Sequence, residues 1–500
     1  MTSSAPAAPS RCWLTVVSRP CPSPGGLWQS GRVTGGNTVD RADSVSIADV
    51  AAATPSTRDR WADALRVGSL LVVIIGHWFM VAVTADGEIS NALKLIPALQ
   101  PVTWVLQVMP LFFLVGGVAH AHTLDRLTSA PGTSRGRYAA FVTSRADRLL
   151  RPTLGFLAVW VVLGVIAHVT GLTSGGQSRL VIAALVMVPQ LLWFVGIYLG
   201  IAAFAPAMYR AHHRHGLVVL IALIVAAVAV DWARFGAGSG LLGNLNFALV
   251  WLALHQAGFA WRDGHLTTKV AVAMVVAGAV GLVAAVTLGP YPTSMVGLPG
   301  DEISNMAPPT AALLAQGIAL IGLAALARPL MARVLARPRP WRLVMTSGAF
   351  AMTAFLWHLT ALLATLLTAR VLGLHLPEVG TAAWWWSRPL WFLALVIPTA
   401  ALVAVFLRFD LPPAAGRGGQ AAGILTESRT WVDPLGVVAV LVTVFGILMV
   451  SIAGVDLLGN RPQFFLVGEV TPAVSFGGLA LGLVLLRVCR PARATTPSPA

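Results

Sequence analysis

The chain has 500 residues, 57% of them hydrophobic and only 11% charged, with a formal net charge of +15. A soluble domain carries roughly a quarter charged residues, so an ordinary soluble protein is excluded. The basic excess calls for no nucleic-acid partner, because it is confined to alternate loops between apolar runs.

Residues 1–57 are rich in Ser, Ala, Pro, Gly and Thr and hold no sustained apolar run. They read as a disordered N-terminal tail, or as an extension upstream of the start site. Trp13 to Val17 is too short for a signal-peptide core. Apolar runs then recur, each long enough to cross a hydrocarbon layer of about 30 Å at about 1.5 Å per residue. They fall near 66–84, 102–122, 153–171, 180–205, 216–232, 242–261, 269–288, 309–330, 344–370, 388–407, 434–455 and 473–489. The first ten lie in a transmembrane domain over 58–408. A Pro- and Gly-rich linker over 409–433 sets the last two apart as an appended hairpin over 434–489, and 490–500 is a tail. The predicted fold class is all-α: a polytopic transmembrane helix bundle of about ten core spans plus a C-terminal two-span hairpin. No repeat of fixed period is visible, which weighs against an inverted-repeat transporter.

Basic residues orient the bundle. With the N-terminus in the cytoplasm, 28 of the 34 Lys and Arg fall on the inner side; the other six are Lys94, Arg179, Arg234, Arg370, Arg388 and Arg461. This asymmetry predicts a multi-pass protein of the inner (cytoplasmic) membrane with both termini cytoplasmic, its arginines facing anionic lipid headgroups. The three cysteines, Cys12, Cys21 and Cys489, have no metal-ligand spacing and form no disulfide framework.

Ionisable groups at bilayer depth are costly and mark function. The first span carries Arg66 and His77, eleven residues apart. At about 100° per residue they share a face and sit about 16 Å apart along the axis. His77 is placed near mid-membrane, where an imidazole facing a cavity could deprotonate a hydroxyl. Asp63 is one turn before Arg66, in reach to pair with it. In the longest inner loop, Arg145-Ala-Asp-Arg148-Leu-Leu-Arg151-Pro152 sets Arg148 and Arg151 at i,i+3. Two guanidiniums on one helix face make a fork suited to phosphate oxygens; ordinary topogenic charge is the competing reading.

Several short motifs accompany these: Met109-Pro-Leu-Phe-Phe-Leu-Val-Gly-Gly117, Leu192-Trp193-Phe194 and Leu356-Trp357-His358-Leu359. With the Arg66–His77 pair and the inner Arg-x-x-Arg, their order resembles acyltransferase family 3, the integral membrane O-acyltransferases, from about Arg60 to Arg408. Tyr291 to Gly300, Ser304-Asn305-Met306, Pro308-Pro-Thr310 and His255-Gln256 resemble an actinobacterial subgroup. The resemblance implies that Arg66 and His77 correspond to the family's arginine and catalytic histidine. It implies that Arg148 and Arg151 meet the phosphates of acyl-CoA, the co-substrate, with no cofactor held permanently. The acceptor would be a hydroxyl of a glycan, lipid-linked sugar or metabolite. Many members carry His two residues before the Trp of Leu-Trp-Phe; here that position is Leu191, and Gln190 is the nearest polar group, so Gln190 and Trp193 become candidate substrate contacts.

His358 is placed either to face His77 across a cavity or to bond a backbone carbonyl. His255 reads as packing, Asp231 and Arg234 as a surface pair, Asp301 and Glu302 as solvated charge, and Trp384 to Trp386 as an interfacial aromatic belt. His212-His213-Arg214-His215 reads as lipid-facing basic charge without carboxylate partners, so no metal site is expected. A transporter or lipid flippase without acyl-transfer chemistry explains the spans equally well; it leaves the Arg–His stripe and the arginine fork without a task.

Overall fold

A computed structural model describes residues 58–84, 89–129, 135–174, 178–238, 240–409, 429–466 and 468–490. The expected tails over 1–57 and 491–500, and most of the 409–433 linker, lie outside these. Among the described residues, twelve α-helices reach 17 residues or more. They are α1 (Arg60–Met80), α2 (Met109–Ser129), α3 (Arg137–Val169), α4 (Leu192–His215), α5 (Val218–Gly236) and α6 (Asn246–Arg262). The remainder are α7 (Thr268–Leu288), α8 (Ala311–Ala336), α9 (Pro338–Val371), α10 (Ala382–Phe406), α11 (Val432–Ala453) and α12 (Pro472–Val488). Ten helical segments are long and apolar enough to cross a membrane; α6 and α12, at 17 residues each, are shorter but occupy two of the expected positions. The protein is a polytopic helical bundle.

Local chemistry starts several helices where the chain supplies a side-chain oxygen for orphan N–H groups. Asp59 caps α1, accepting from the backbone N–H of Trp61 and Ala62, while Thr267, Thr310, Thr381 and Thr471 cap α7, α8, α10 and α12. Position in the bundle follows burial. In the segment Pro97–Ser129, which includes α2, 67% of the apolar window is buried, against 11% in α5. Hence α2 is central and α5 peripheral. At the centre α2 meets α6 almost backbone to backbone: a Cβ on Gly117 would lie 2.1 Å from the His255 carbonyl oxygen, and one on Gly258 2.1 Å from that of Leu114. Small residues of this kind let membrane helices gain dispersion contact without a hydrophobic driving force.

Several sequence expectations change in three dimensions. The arginine motif is not in a loop, because α3 runs unbroken from Arg137 and carries Arg145, Arg148 and Arg151 on its first turns. Asp231 is no surface pair with Arg234. It is 1% exposed and accepts from Asn246 Nδ2 (3.0 Å), Tyr291 Oη (3.2 Å) and Ala311 N (2.5 Å), tying α5 to α6, to the loop before α8 and to α8 itself. That buried carboxylate helps begin α8. Trp384 is 2% exposed and only Trp386, at 85%, stands fully outward, so the aromatic belt is partly a packing element. The hairpin is appended in sequence but embedded in space. Asp433 accepts from Gly136 N (2.9 Å) and Ala139 N (3.0 Å) at the start of α3, and Val440, Val444 and Ile447 join the main hydrophobic core.

At the arginine-poor end the 289–310 loop folds onto the segment before α2. Met295 N donates to Thr103 Oγ1 (2.9 Å), Trp104 Nε1 to the Thr293 carbonyl (2.8 Å), and Gln316 Nε2 to the carbonyls of Trp104 and Gln107 (3.0 and 2.9 Å). Buried Asn305 bonds the carbonyls of Pro292 and Ser294 and receives the Thr310 hydroxyl, so Ser304-Asn305-Met306 works as a loop clasp.

The close α2–α6 approach predicts that Gly117→Ala destabilises the protein by an overpacking cost on the order of 1–3 kcal/mol. Gly68→Ala, where nothing lies within 4 Å of the added Cβ, should be neutral or stabilising. Thermal unfolding in detergent micelles compares the two; equal melting points would mean that the helices part without cost.

Candidate active site

His77 and His358 meet. His77 Nδ1 lies 2.9 Å from His358 Nε2, with the rings 5.1 Å apart and 14° from parallel. His77 is three residues from the end of α1, closer to the arginine-poor side than mid-span, whereas His358 is in the middle of α9. His358 is fully buried and does both things its position allowed: it faces His77, and its Nδ1 lies 2.5 Å from the Phe355 carbonyl.

These contacts assign the protons. A carbonyl only accepts, so His358 Nδ1 carries a hydrogen and donates it to Phe355. In the neutral ring His358 Nε2 is then an acceptor, and His77 Nδ1 must be the donor. His77 Nε2 is left with a lone pair. The α1–α9 contact is held nearby by Trp78 Nε1, which donates to the His358 carbonyl (3.4 Å), and by Trp391 Nε1, which donates to the Trp78 carbonyl (2.9 Å).

His77 lines a cavity of about 1930 Å³. Gln190 and Trp193 line it too; Gln190 is presented by a 3₁₀ turn, Pro189–Leu191, just before α4. Most of the wall is apolar, with Val72, Phe79, Phe194, Phe355, Leu359 and Leu363 close along α1, α4 and α9. The cavity extends to the arginine-poor end, where Asn91, Lys94, Ser304, Arg370 and His375 border it. His358 stays behind His77, outside the lining.

Arg66, Arg148 and Arg151 lie elsewhere, toward the arginine-rich end. Arg66 pairs with Asp63 (3.4 Å), as its spacing predicted. Arg148 and Arg151 are exposed on α3, and Arg151 is engaged within the protein. Arg145, one turn before Arg148, turns inward and donates to Thr123 Oγ1 on α2. Tyr198 lies one turn along α4 from cavity-lining Phe194. Tyr198 packs among Phe112, Phe194 and His120, whose rings lie 5.4, 6.1 and 5.6 Å away.

Sequence reasoning missed Tyr198 and His120. His120 Nδ1 lies 2.9 Å from His255 Nε2 across the α2–α6 contact, both rings almost fully buried. His255 is thus a packing residue with a polar partner. His120 Nε2, His255 Nδ1 and Arg145 Nε are buried without hydrogen-bond partners, a polar seam between the central helices. Only an interhelical pairing signal could have exposed it.

A lone-pair imidazole in an apolar cavity, with cations about three helical turns away along α1, is equipped to take a proton from a hydroxyl beside a phosphate-bearing co-substrate. No curated protein and no solved structure gives a significant match to the chain. A family model described as an acyltransferase domain matches residues 59–408, most of the chain and all of the helices that carry His77, His358 and the arginines. The chain belongs to acyltransferase family 3 and is a membrane acyltransferase.

Proposed function

We propose that the enzyme moves an acyl group from acyl-CoA to a hydroxyl of a glycan, lipid-linked sugar or metabolite, with His77 as general base. The observation that carries this reading is the hydrogen-bond chain from His77 through His358 to Phe355, which leaves His77 Nε2 unprotonated at the cavity wall. Acyl-CoA docks from the cytoplasmic side with its phosphates on Arg148 and Arg151 and near Arg66. Its thioester-bearing arm extends toward His77, a distance set by the roughly 16 Å between Arg66 and His77 along α1. The acceptor enters the cavity from the opposite side, where Gln190 and Trp193 are its candidate contacts.

The chemistry follows. His77 Nε2 removes the hydroxyl proton as the oxygen attacks the thioester carbonyl. The tetrahedral adduct collapses, the C–S bond breaks, and the CoA thiolate takes the proton back from the imidazolium. The ester and free CoA are the products. His358 accepts the His77 Nδ1 hydrogen throughout, fixing the tautomer as the third member of a triad does. Family membership decides against transport without chemistry. The same reading places the protein in the inner (cytoplasmic) membrane with both termini inside, which the asymmetry of the basic residues supports.

His77→Ala should abolish CoA release by the purified enzyme supplied with acyl-CoA and a panel of hydroxyl acceptors. His358→Gln should lower kcat by roughly tenfold or more while moving KM little, since His358 orients the base without touching substrate. Substantial activity in His77→Ala would remove His77 from the role.

The double change Arg148→Lys, Arg151→Lys keeps the charge but loses the planar fork. The half-saturating acyl-CoA concentration should rise about tenfold or more, from a loss of roughly 1.5–3 kcal/mol of charge-assisted bonding, with the acceptor's less affected. Unchanged donor kinetics would make the pair topogenic only. Reporter fusions after Ser129 and Pro338 should read cytoplasmic and one after Gly300 extracytoplasmic; a reversal at any of these would overturn the orientation.

A further inference from the structure

The arginine-rich end holds a second cluster of chemistry-bearing side chains that the acyl-transfer site does not use. His212, in the last turn of α4, is 3% exposed, which corrects its reading as lipid-facing charge. Its carboxylate partner stands 51 residues away: His212 Nε2 lies 3.1 Å from Asp263 Oδ2. Asp263 and His265 flank Gly264, whose φ of +76° turns the chain after α6 so that both face α4. The ligand atoms of His212, Asp263 and His265 all lie within 4.8 Å of one another.

We infer that His212, Asp263 and His265 form a binding site for a zinc-class divalent ion that ties α4 to the α6–α7 turn. The donor set favours this class: two imidazoles and one carboxylate suit zinc, whereas magnesium and calcium prefer oxygen ligands alone. Three protein ligands leave a fourth tetrahedral position for water. Around one zinc, ligand atoms at about 2.0–2.1 Å stand roughly 3.4 Å apart, so the cluster must draw in by an ångström or so. The buried His212 is the fixed point, and the exposed Asp263 and His265 have room to swing toward it.

Behind His212 stands the partner that a ligating histidine needs. Gln256, fully buried, places its amide Nε2 3.0 Å from His212 Nδ1, and its Oε1 is buried without a hydrogen-bond partner. A half-turn of the amide brings Oε1 to Nδ1. His212 Nδ1 then carries the hydrogen and donates to Gln256, and the Nε2 lone pair is turned to Asp263 and His265. This is how outer partners set the tautomer of a metal-bound histidine. Arg262 is the nearest opposing charge, 3.5 Å from Asp263 Oδ1. Its closer ion pair is with Asp125, which leaves Asp263 Oδ2 for the ion.

The test uses the full-length enzyme, purified in detergent through an affinity tag that contains no histidine, stripped with chelator and titrated with Zn²⁺ alone. One equivalent should bind, with a dissociation constant of micromolar or tighter, and raise the melting temperature. Binding should weaken at least tenfold in Asp263→Asn and in His265→Ala, both exposed positions whose change spares the core, and in His212→Ala. His213→Ala with His215→Ala should leave it unchanged. Absence of stoichiometric uptake overturns the proposal. So does uptake indifferent to Asp263→Asn and His265→Ala, or uptake lost with His213 and His215, which would place the ion on the helix surface.

Discussion

An imidazole always carries at least one N–H, and inside a dry helix bundle that hydrogen must find an acceptor or cost several kcal/mol. His358 is fully buried in the middle of α9, and it spends its Nδ1 hydrogen on Phe355, in its own helix. The rest is forced. His358 Nε2 can only accept, His77 is the side chain that supplies the donor, and a neutral His77, which lines the cavity, keeps its lone pair on the other nitrogen. The geometry of the proposed base is thus a consequence of satisfying one buried polar group.

The two ends of the bundle deal with charge differently. At the arginine-rich end cations are matched by carboxylates from distant helices: Asp59 receives Trp261 Nε1 (2.9 Å) and Arg328 (2.8 Å), and Asp125 receives Arg262 and the Tyr209 hydroxyl. At the other end Asp231 is held almost wholly by neutral donors. Between them the His120–His255 seam leaves three buried nitrogens unmatched. Arg66 pairs with Asp63 and Arg148 is exposed, an arrangement compatible with the proposed phosphate contact.

The helices were legible in the sequence because length and hydropathy are local properties, and the Arg66–His77 stripe because helix geometry fixes it without reference to any neighbour. His358 was legible as a candidate only through the Leu-Trp-His motif; that it meets His77 depends on how α1 packs against α9, 281 residues away in sequence. The errors have the same origin. His212 was judged by its basic neighbours at 213–215, but its environment is set by Asp263 and Gln256 on another helix. Asp231 was judged by Arg234 one turn away, but it turns inward to the start of α8. Tyr198 and His120 lie in segments that read as plain apolar spans. Nothing local distinguishes a tyrosine or histidine that joins an interhelical cluster from one that merely packs.

The C-terminal hairpin shows what family membership leaves open. The match to the family ends at residue 408, yet Val444, Phe445, Leu448, Ser451 and Ile452 of α11 line the same cavity as His77. They reach it because α4 offers α11 a smooth face: a Cβ on Gly196 would lie 2.8 Å from Leu448. Helix α11 is also locked to the core at both ends, by Asp433 on the start of α3 and by Val455 N on the Leu185 carbonyl (3.0 Å). This fixed helix thus contributes part of the cavity wall. The base and the arginines come from the part of the chain common to the family. The apolar wall of this cavity is completed by a segment outside it, so the proposed base and part of the proposed binding volume belong to separable stretches of sequence.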